Sequence, residues 1–409
     1  MNDLRFSILS AVKSSVRTIL IHFFELIVVV LLPPVFLARV LNRKPIQVSK
    51  RSVWTGAPIL TMPIKASAEK ALGFDSVTLV RSSFFITSSF DFNLKAISRG
   101  SRVLAFLLPY VFFLWICATS NRVHAFLDGG ILPPKQRFEF NPFELWCYRL
   151  FGIKLFVWTY GADVRTRQST RLLGEPNCCS DCTQVGEACI CDDAAGVENY
   201  SRVRTVATAI FSMGDMTEYT PGSVNNLFFW PLDFNADDGK RYRAVYPHAV
   251  SSVPLRVVHA PNHRQFKGTK YLEAAVKELQ EEGVPIDLVM VEGMPNDQAL
   301  ELFRTADVIF DQCLIGFHGY FAIEAMALGK PVMCYIRDPE RYLLDYQNCP
   351  IINIHRDHLK DALRRFATKD RGLLPDIGYS SRAYAERNFS LEAFACRLGE
   401  CYEKLGVAF

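Results

Sequence analysis

Residues 316–332 read GFHGYFAIEAMALGKPV, and the fold is decided by how this stretch is understood. The run before it, DVIFDQC (307–313), is apolar and β-branched, the composition of a buried strand. YFAIEAMALG (320–329) has helical spacing and stops at Gly329, with Pro331 two residues on, and PVMCYI (331–336) is strand-like again. Between the first strand and the helix lies a turn carrying Gly316 and Gly319. Glycine lets the backbone approach a ligand closely, and the free N–H groups of a helix start favour negative charge, so a diphosphate is the natural guest. Glu324 falls one turn into the helix, within reach of sugar hydroxyls.

Outward from this core the same strand–helix alternation recurs. After Pro254 come LRVVHAP, the helix TKYLEAAVKELQEEG, the strand IDLVMVEG and the helix NDQALELFRTA. In the first helix Leu272, Ala275, Val276 and Leu279 share one face and Gly283 stands just past the end. From Arg51 the N-terminal half alternates likewise: VWTGAPIL, the helix IKASAEKALG, SVTLV, RVHAFLD and KLFVWTYGADV. Such alternation implies parallel sheets covered on both faces. The polar stretch DFNADDGKRYRAVYPHAVSS separates the halves. The expected organisation is an N-terminal helical segment (1–45), a Rossmann-like domain (46–233) with a cysteine-rich insertion (175–193), a linker (234–253) and a second Rossmann-like domain (254–409). The fold class is α/β, two doubly wound domains facing a cleft, and ligands belong at the carboxyl ends of the strands.

The chain has 409 residues, half of them apolar, and a net charge of +4. No basic run with interleaved aromatics occurs, which excludes a nucleic-acid partner. The segment ILIHFFELIVVVLLPPVFLARV (19–40) is strongly apolar, with Lys13 and Arg17 before it and Arg39, Arg43 and Lys44 after it. It is interrupted by Glu25 and Pro33-Pro34, so a spanning helix, a helix lying in the membrane surface and a buried core helix all stay open. If it spans, the basic excess behind it puts the domains in the cytoplasm. The expectation is attachment to the cytoplasmic face of the membrane, peripherally or by this single anchor. A second uncharged run, VLAFLLPYVFFLWICAT (103–119), reads as a helix packed on a sheet, one face of it available to lipid.

Gly319, the segment 322–332 and the strand–helix order around them resemble the retaining glycosyltransferases of GT-B fold, family 4. The resemblance implies an enzyme, a hexosyltransferase-like glycosyltransferase. Its partners would be a UDP-, GDP- or TDP-linked sugar donor and a glycan or lipid-linked acceptor, with a role in polysaccharide biosynthesis. It implies no catalytic metal. By resemblance, the donor is held by Asn262, Arg264, Lys267, His318, Gly319, Tyr320, Phe321 and Glu324. In the loop HAPNHRQFKG, Lys267 matches the family's lysine on the donor diphosphate, Asn262 stands where an arginine is usual, and Arg264 reaches for the same phosphate. Charge-assisted contacts from such cations suit a diphosphate. The family's first glutamate falls at Gly316, and Asp311 or Gln312 from the preceding strand end is a substitute for it. In the N-terminal half, WTYGADVR resembles the family's HGxD turn, with Tyr160 in place of histidine. Gly56, Tyr160, Asp163 and Arg165 then line the acceptor side, and the catalytic set is Asp163, Arg264, Lys267 and Glu324. Asp163 either caps a local turn or orients the sugar. The departures leave two other functions open, a catalytically silent membrane-anchored subunit and a nucleotide-sugar 2-epimerase of the same architecture.

Five of the twelve cysteines crowd into EPNCCSDCTQVGEACICDD (175–193). Cys179, Cys182, Cys189 and Cys191 have a density that suits a structural zinc ion, with Cys178 able to replace Cys179. Disulfides, free thiols and an iron–sulfur cluster are the alternatives. The insertion follows the YGADVR turn, so a metal there would brace the acceptor side.

Overall fold

The computed structural model describes residues 2–41, 50–84, 89–187, 189–224, 230–249 and 253–407. The N-terminal sheet has the order β3-β2-β1-β4-β5-β6, all parallel. Its strands are β1 (Arg51–Thr55), β2 (Asp75–Val80), β3 (Phe92–Asn93), β4 (Arg122–Phe126), β5 (Lys154–Trp158) and β6 (Ala209–Phe211). The C-terminal sheet has the order β11-β10-β9-β7-β8, again parallel. It is built from β7 (Leu255–His259), β8 (Ile286–Met290), β9 (Val308–Gly316), β10 (Val332–Ile336) and β11 (Ile352–Asn353). Burial on both faces explains why β4 and β9 read as nearly continuous apolar runs.

The principal helices are α1 (Asn2–Leu41), α2 (Met62–Ala71), α3 (Arg102–Thr119), α4 (Pro142–Leu150), α5 (Asp193–Arg204), α6 (Arg264–Lys267), α7 (Thr269–Glu281), α8 (Asn296–Arg304), α9 (Tyr320–Ala327), α10 (Leu374–Phe389) and α11 (Leu391–Lys404). In α7 the buried stripe is Leu272, Ala275, Val276 and Leu279, and Gly283 follows the helix in the left-handed region (φ +78°). α1 is one continuous helix through Pro33-Pro34.

The chain order of each sheet reverses at one place, between β1 and β4 in the first and between β7 and β9 in the second. Loops leaving neighbouring strands there diverge to opposite faces and open a crevice. At the first reversal the strand within VWTGAPIL ends at Thr55 and runs into a turn at Gly56. Its φ is +102°, and a Cβ there would come within 2.5 Å of the Gly129 carbonyl, so only glycine lets the loops after β1 and β4 press together.

α11 does not stay with the C-terminal sheet but crosses back to cover the N-terminal one. Phe394, Leu398 and Tyr402 pack among Trp54, Phe74, Phe156 and Trp158. Tyr402 donates to the buried carboxylate of Glu69 at 2.8 Å, which also accepts from Trp54 Nε1 (2.7 Å) and Ser76 Oγ (2.6 Å).

Candidate functional site

The two reversal points face one cavity of about 910 Å³, a size suited to a small-molecule ligand. Its N-terminal wall is made by the loop 56–61, by Arg81 and Asp128, and by Tyr160 and Arg165; its C-terminal wall by Asn262, Lys267, the turn 317–321 and Glu324. Of the residues singled out by sequence, the cleft thus gathers Gly56, Tyr160, Arg165, Asn262, Lys267, His318, Gly319, Tyr320, Phe321 and Glu324.

On the C-terminal side β9 delivers Asp311 beneath the glycine turn. Its carboxylate is fully buried, accepts from Gly319 N at 2.6 Å and pairs with Lys267 Nζ at 2.5 Å. Burial opposes its charge, but the Lys267 ammonium and these hydrogen bonds prevail and hold its pKa below the usual carboxylate value. A Cβ on Gly319 would stand 3.0 Å from Lys267 Nζ, so glycine leaves room for the ammonium at the start of α9. The result is a cation and helix N–H groups side by side, with the lysine already aimed. His318 is buried, and burial lowers its pKa to about 4, leaving a neutral imidazole at physiological pH.

Glu324 is also almost wholly buried. It accepts from Asn296 Nδ2 at 3.1 and 3.3 Å and from Tyr242 OH at 3.4 Å. Burial raises its pKa to about 7, against the opposing pull of Asn296 and Arg241. Asn296 and Tyr242 escaped the sequence reading. Tyr242 lies in the stretch taken as linker, and Asn296 at the start of α8 carries no motif. In the structure both are drawn onto the one carboxylate.

Three expectations are placed differently. Arg264 points away from the cleft and is exposed, pairing with Glu292 at 3.0 Å and Glu273 at 3.0 Å. Loop spacing brought it near the diphosphate position, but α6 turns its side chain outward and leaves Lys267 inward. Asp311 and Gln312 do not project into the cleft as substitutes for an acid at Gly316. Asp311 is committed to Lys267, and Gln312 is buried, bonding Phe317 O, Tyr335 O and the N–H groups of Leu314 and Ile315. Gly316 itself has φ +92°, where an L side chain is strained, and a Cβ there would lie 2.8 Å from the Arg337 guanidinium, which would have to move aside.

On the N-terminal side Asp163 lies below the surface of the cavity. Its Oδ1 accepts from Tyr160 N and Gly161 N, each at 2.9 Å, while its buried Oδ2 has no hydrogen-bond partner among the described residues. Burial first and the Asp128 charge second raise its pKa to about 7. Of the two roles left open by sequence, the turn-capping contacts are present. Arg165 is locked by Asp215 through bonds of 2.8 to 3.1 Å. Asp128 went unnoticed in the sequence. It stands at the carboxyl end of β4, half-buried in the cavity wall, and accepts from Tyr160 OH at 2.7 Å. The signal was its place after RVHAF at the topological reversal.

The cysteine-rich insertion does not form the zinc site that its spacing suggested. Among the described residues no set of three or more His, Cys, Asp or Glu side chains is arranged to hold a metal ion, and all twelve cysteines are free. The sulfurs of Cys189 and Cys191 lie 3.5 Å apart. Asn177 Oδ1 accepts from Cys179 N (3.0 Å) and Ser180 N (2.9 Å), in a turn where Cys178 and Cys179 are buried. The loop beyond is pulled across to the other domain, where Asp181 meets Tyr271 OH at 2.5 Å and Lys270 Nζ at 3.2 Å. Thr183 N donates to Gln265 Oε1 at 3.0 Å. The insertion is a clasp over one end of the cleft, and Cys178 and Cys189 line its inner side.

No protein-family model matches the chain, and no curated protein matches it. Among solved structures it is similar to a sucrose-phosphate synthase from Thermosynechococcus elongatus, with a TM-score of 0.56 and 14% identity over 88% of this chain and 99% of that one. It is also similar to OtsA in its apo form, with a TM-score of 0.52 and 9% identity over 88% of this chain and 99% of that one. Both likenesses are of fold, and with the two sheets and the facing reversal points they establish what the chain is architecturally. The protein has the GT-B fold: two doubly wound Rossmann-like domains facing a cleft, preceded by an apolar N-terminal helix.

Proposed function

We propose that the protein is a glycosyltransferase that moves a sugar from a nucleotide-sugar donor to a glycan or lipid-linked acceptor, with retention at the anomeric carbon. The observation that carries this reading is the juxtaposition of Lys267, the N-terminus of α9 at Gly319 and the Glu324 carboxylate on one wall of the cleft. A UDP-, GDP- or TDP-linked sugar fits that arrangement. Its diphosphate meets Lys267 and the start of α9, and its ribose hydroxyls donate to Glu324.

In the reaction the bond from the sugar's anomeric carbon to the diphosphate oxygen breaks with its electron pair leaving on the diphosphate. Lys267 and the helix start stabilise that growing charge. The acceptor oxygen forms the new bond and its proton leaves to the departing diphosphate, while Asp128, tied to Tyr160, orients the hydroxyl. Asp163 keeps the 160–163 turn in shape. The reading asks nothing of a catalytic metal. The apolar helix and its basic flanks support placing the acceptor at the cytoplasmic face of a membrane.

The test is product analysis after incubation with a panel of nucleotide sugars and lipid-extracted acceptors. Transfer that is lost in Glu324→Ala supports the reading. Epimerised nucleotide sugar without transfer would replace it with epimerase chemistry, and donor binding without any turnover would point to a silent subunit.

A further inference from the structure

Residues 15–41 of α1 lie against α3 on the flank of the N-terminal domain. α1 turns Ile21, Val28 and Leu32 inward at helical spacing. Its one acid in this stretch, Glu25, is on the same inward stripe, held by Lys135 at 3.0 Å and Asn141 at 3.1 Å. Near its end Arg39 donates to the last carbonyls of α3, Cys117 O and Ser120 O, at 2.8 Å each. The helix is therefore tied to the domain along its length.

Its outer side is the reverse of a core helix. Phe23, Leu26 and Leu37 are exposed, Val30 is 74% exposed, and only 22% of the most apolar window is buried. The apolar surface extends over Val103 and Leu104 of α3 to Trp146 of α4. Residues 15–41, α3 and α4 contain two acids, Glu25 and Glu144, and both are buried. The exposed charges on the same segments, Arg17, Arg102 and Arg149, are all cationic.

We propose that this three-helix face is embedded in one leaflet of a membrane containing anionic lipids, with α1 lying along the surface and not crossing it. An apolar centre with a cationic rim and no exposed acid matches lipid in both chemistry and charge. A crossing α1 would have to take Glu25 and Arg39 from their partners into hydrocarbon, which is costly. The inference uses nothing from the donor site, so its failure and that of the transferase reading are separable.

The test is flotation of the full-length protein with phosphatidylcholine vesicles, with and without phosphatidylserine. Binding is expected to rise with the anionic lipid and to fall about fivefold for Arg102→Ala or Arg149→Ala. Leu26→Glu combined with Val30→Glu is expected to cut the bound fraction about tenfold, with an unchanged melting temperature because both sites are exposed. Ser15→Cys and Leu41→Cys, read by peptide mass after adding an impermeant maleimide to sealed vesicles, are both expected to be labelled from outside. Labelling of one end alone would mean a spanning helix and overturn the proposal. Absence of flotation, with a discrete dimer in solution that Leu26→Glu dissociates, would assign the face to a second copy of the chain and overturn it equally.

Discussion

Glu324 sets burial against charge, and the balance is measurable. Its pKa of about 7 exceeds the ordinary carboxylate value because the folded chain disfavours the ion. The folded state holds this proton more tightly than the unfolded state, so the residue's contribution to stability declines as pH rises from about 4.5 to about 7. Glu324→Gln is expected to flatten that part of the stability profile, measured by urea unfolding across the range. Hydroxyl donors favour the ionised form, so donor affinity is expected to increase with pH through about 7 in the wild type and not in Glu324→Gln. Lys267 calls for a paired change, because removing it alone leaves Asp311 buried and uncompensated. Lys267→Met with Asp311→Asn is expected to fold and to weaken donor binding by about ten- to a hundredfold, corresponding to about 1.5–3 kcal/mol for a charge-assisted contact. Asp128→Asn is expected to lower the transfer rate by about a hundredfold while leaving donor affinity intact, as measured by single-turnover kinetics. The sequence singled out Lys267, Gly319 and Glu324 because motif and turn chemistry coincide there, and the cleft gathers all three. It misjudged Arg264 because spacing along a loop does not tell which way a side chain points. Asn296 and Tyr242 meet Glu324 only after the chain has folded over distances that local pattern does not carry.

At the scale of elements, the strand–helix alternation from Arg51 and from Pro254 was readable because fully buried parallel strands are continuous apolar runs. Less readable was where α11 would dock. Its amphipathic pattern states that one face is buried but not on which sheet, and the choice rests on Tyr402 reaching Glu69 in a pocket of aromatic rings. Tyr402→Phe keeps the ring and leaves that carboxylate short of a donor. It is expected to cost about 1–2 kcal/mol in equilibrium unfolding. The cysteine-rich insertion shows the opposite failure, a pattern whose chemistry is real but whose geometry differs. Thiol density favoured a metal, yet among the described residues no three such side chains are arranged to hold one, and the loop instead reaches Lys270 and Tyr271 through Asp181.

For the whole molecule, the cleft follows from two topological reversals placed opposite each other, each opening a crevice at the carboxyl ends of its strands. The walls come from separate domains, so the cleft depends on their relative position. That position is held by the clasp at Asp181 and Thr183, by Phe317 seated where a side chain on Gly214 would clash, and by α11. Asp181→Ala with Gln265→Ala removes mostly exposed contacts, so a change of no more than a few-fold in donor affinity is expected, together with faster proteolysis within 180–187. On the proposed function, Lys267, the start of α9 and Glu324 together bind a nucleotide sugar. Isothermal titration of UDP-, GDP- and TDP-sugars against the wild type and against Lys267→Met with Asp311→Asn tests it most directly. At least one donor is expected to bind the wild type at a single site and the folded double variant about ten- to a hundredfold more weakly. Failure of every donor to bind, or equal affinity for both proteins, would contradict it.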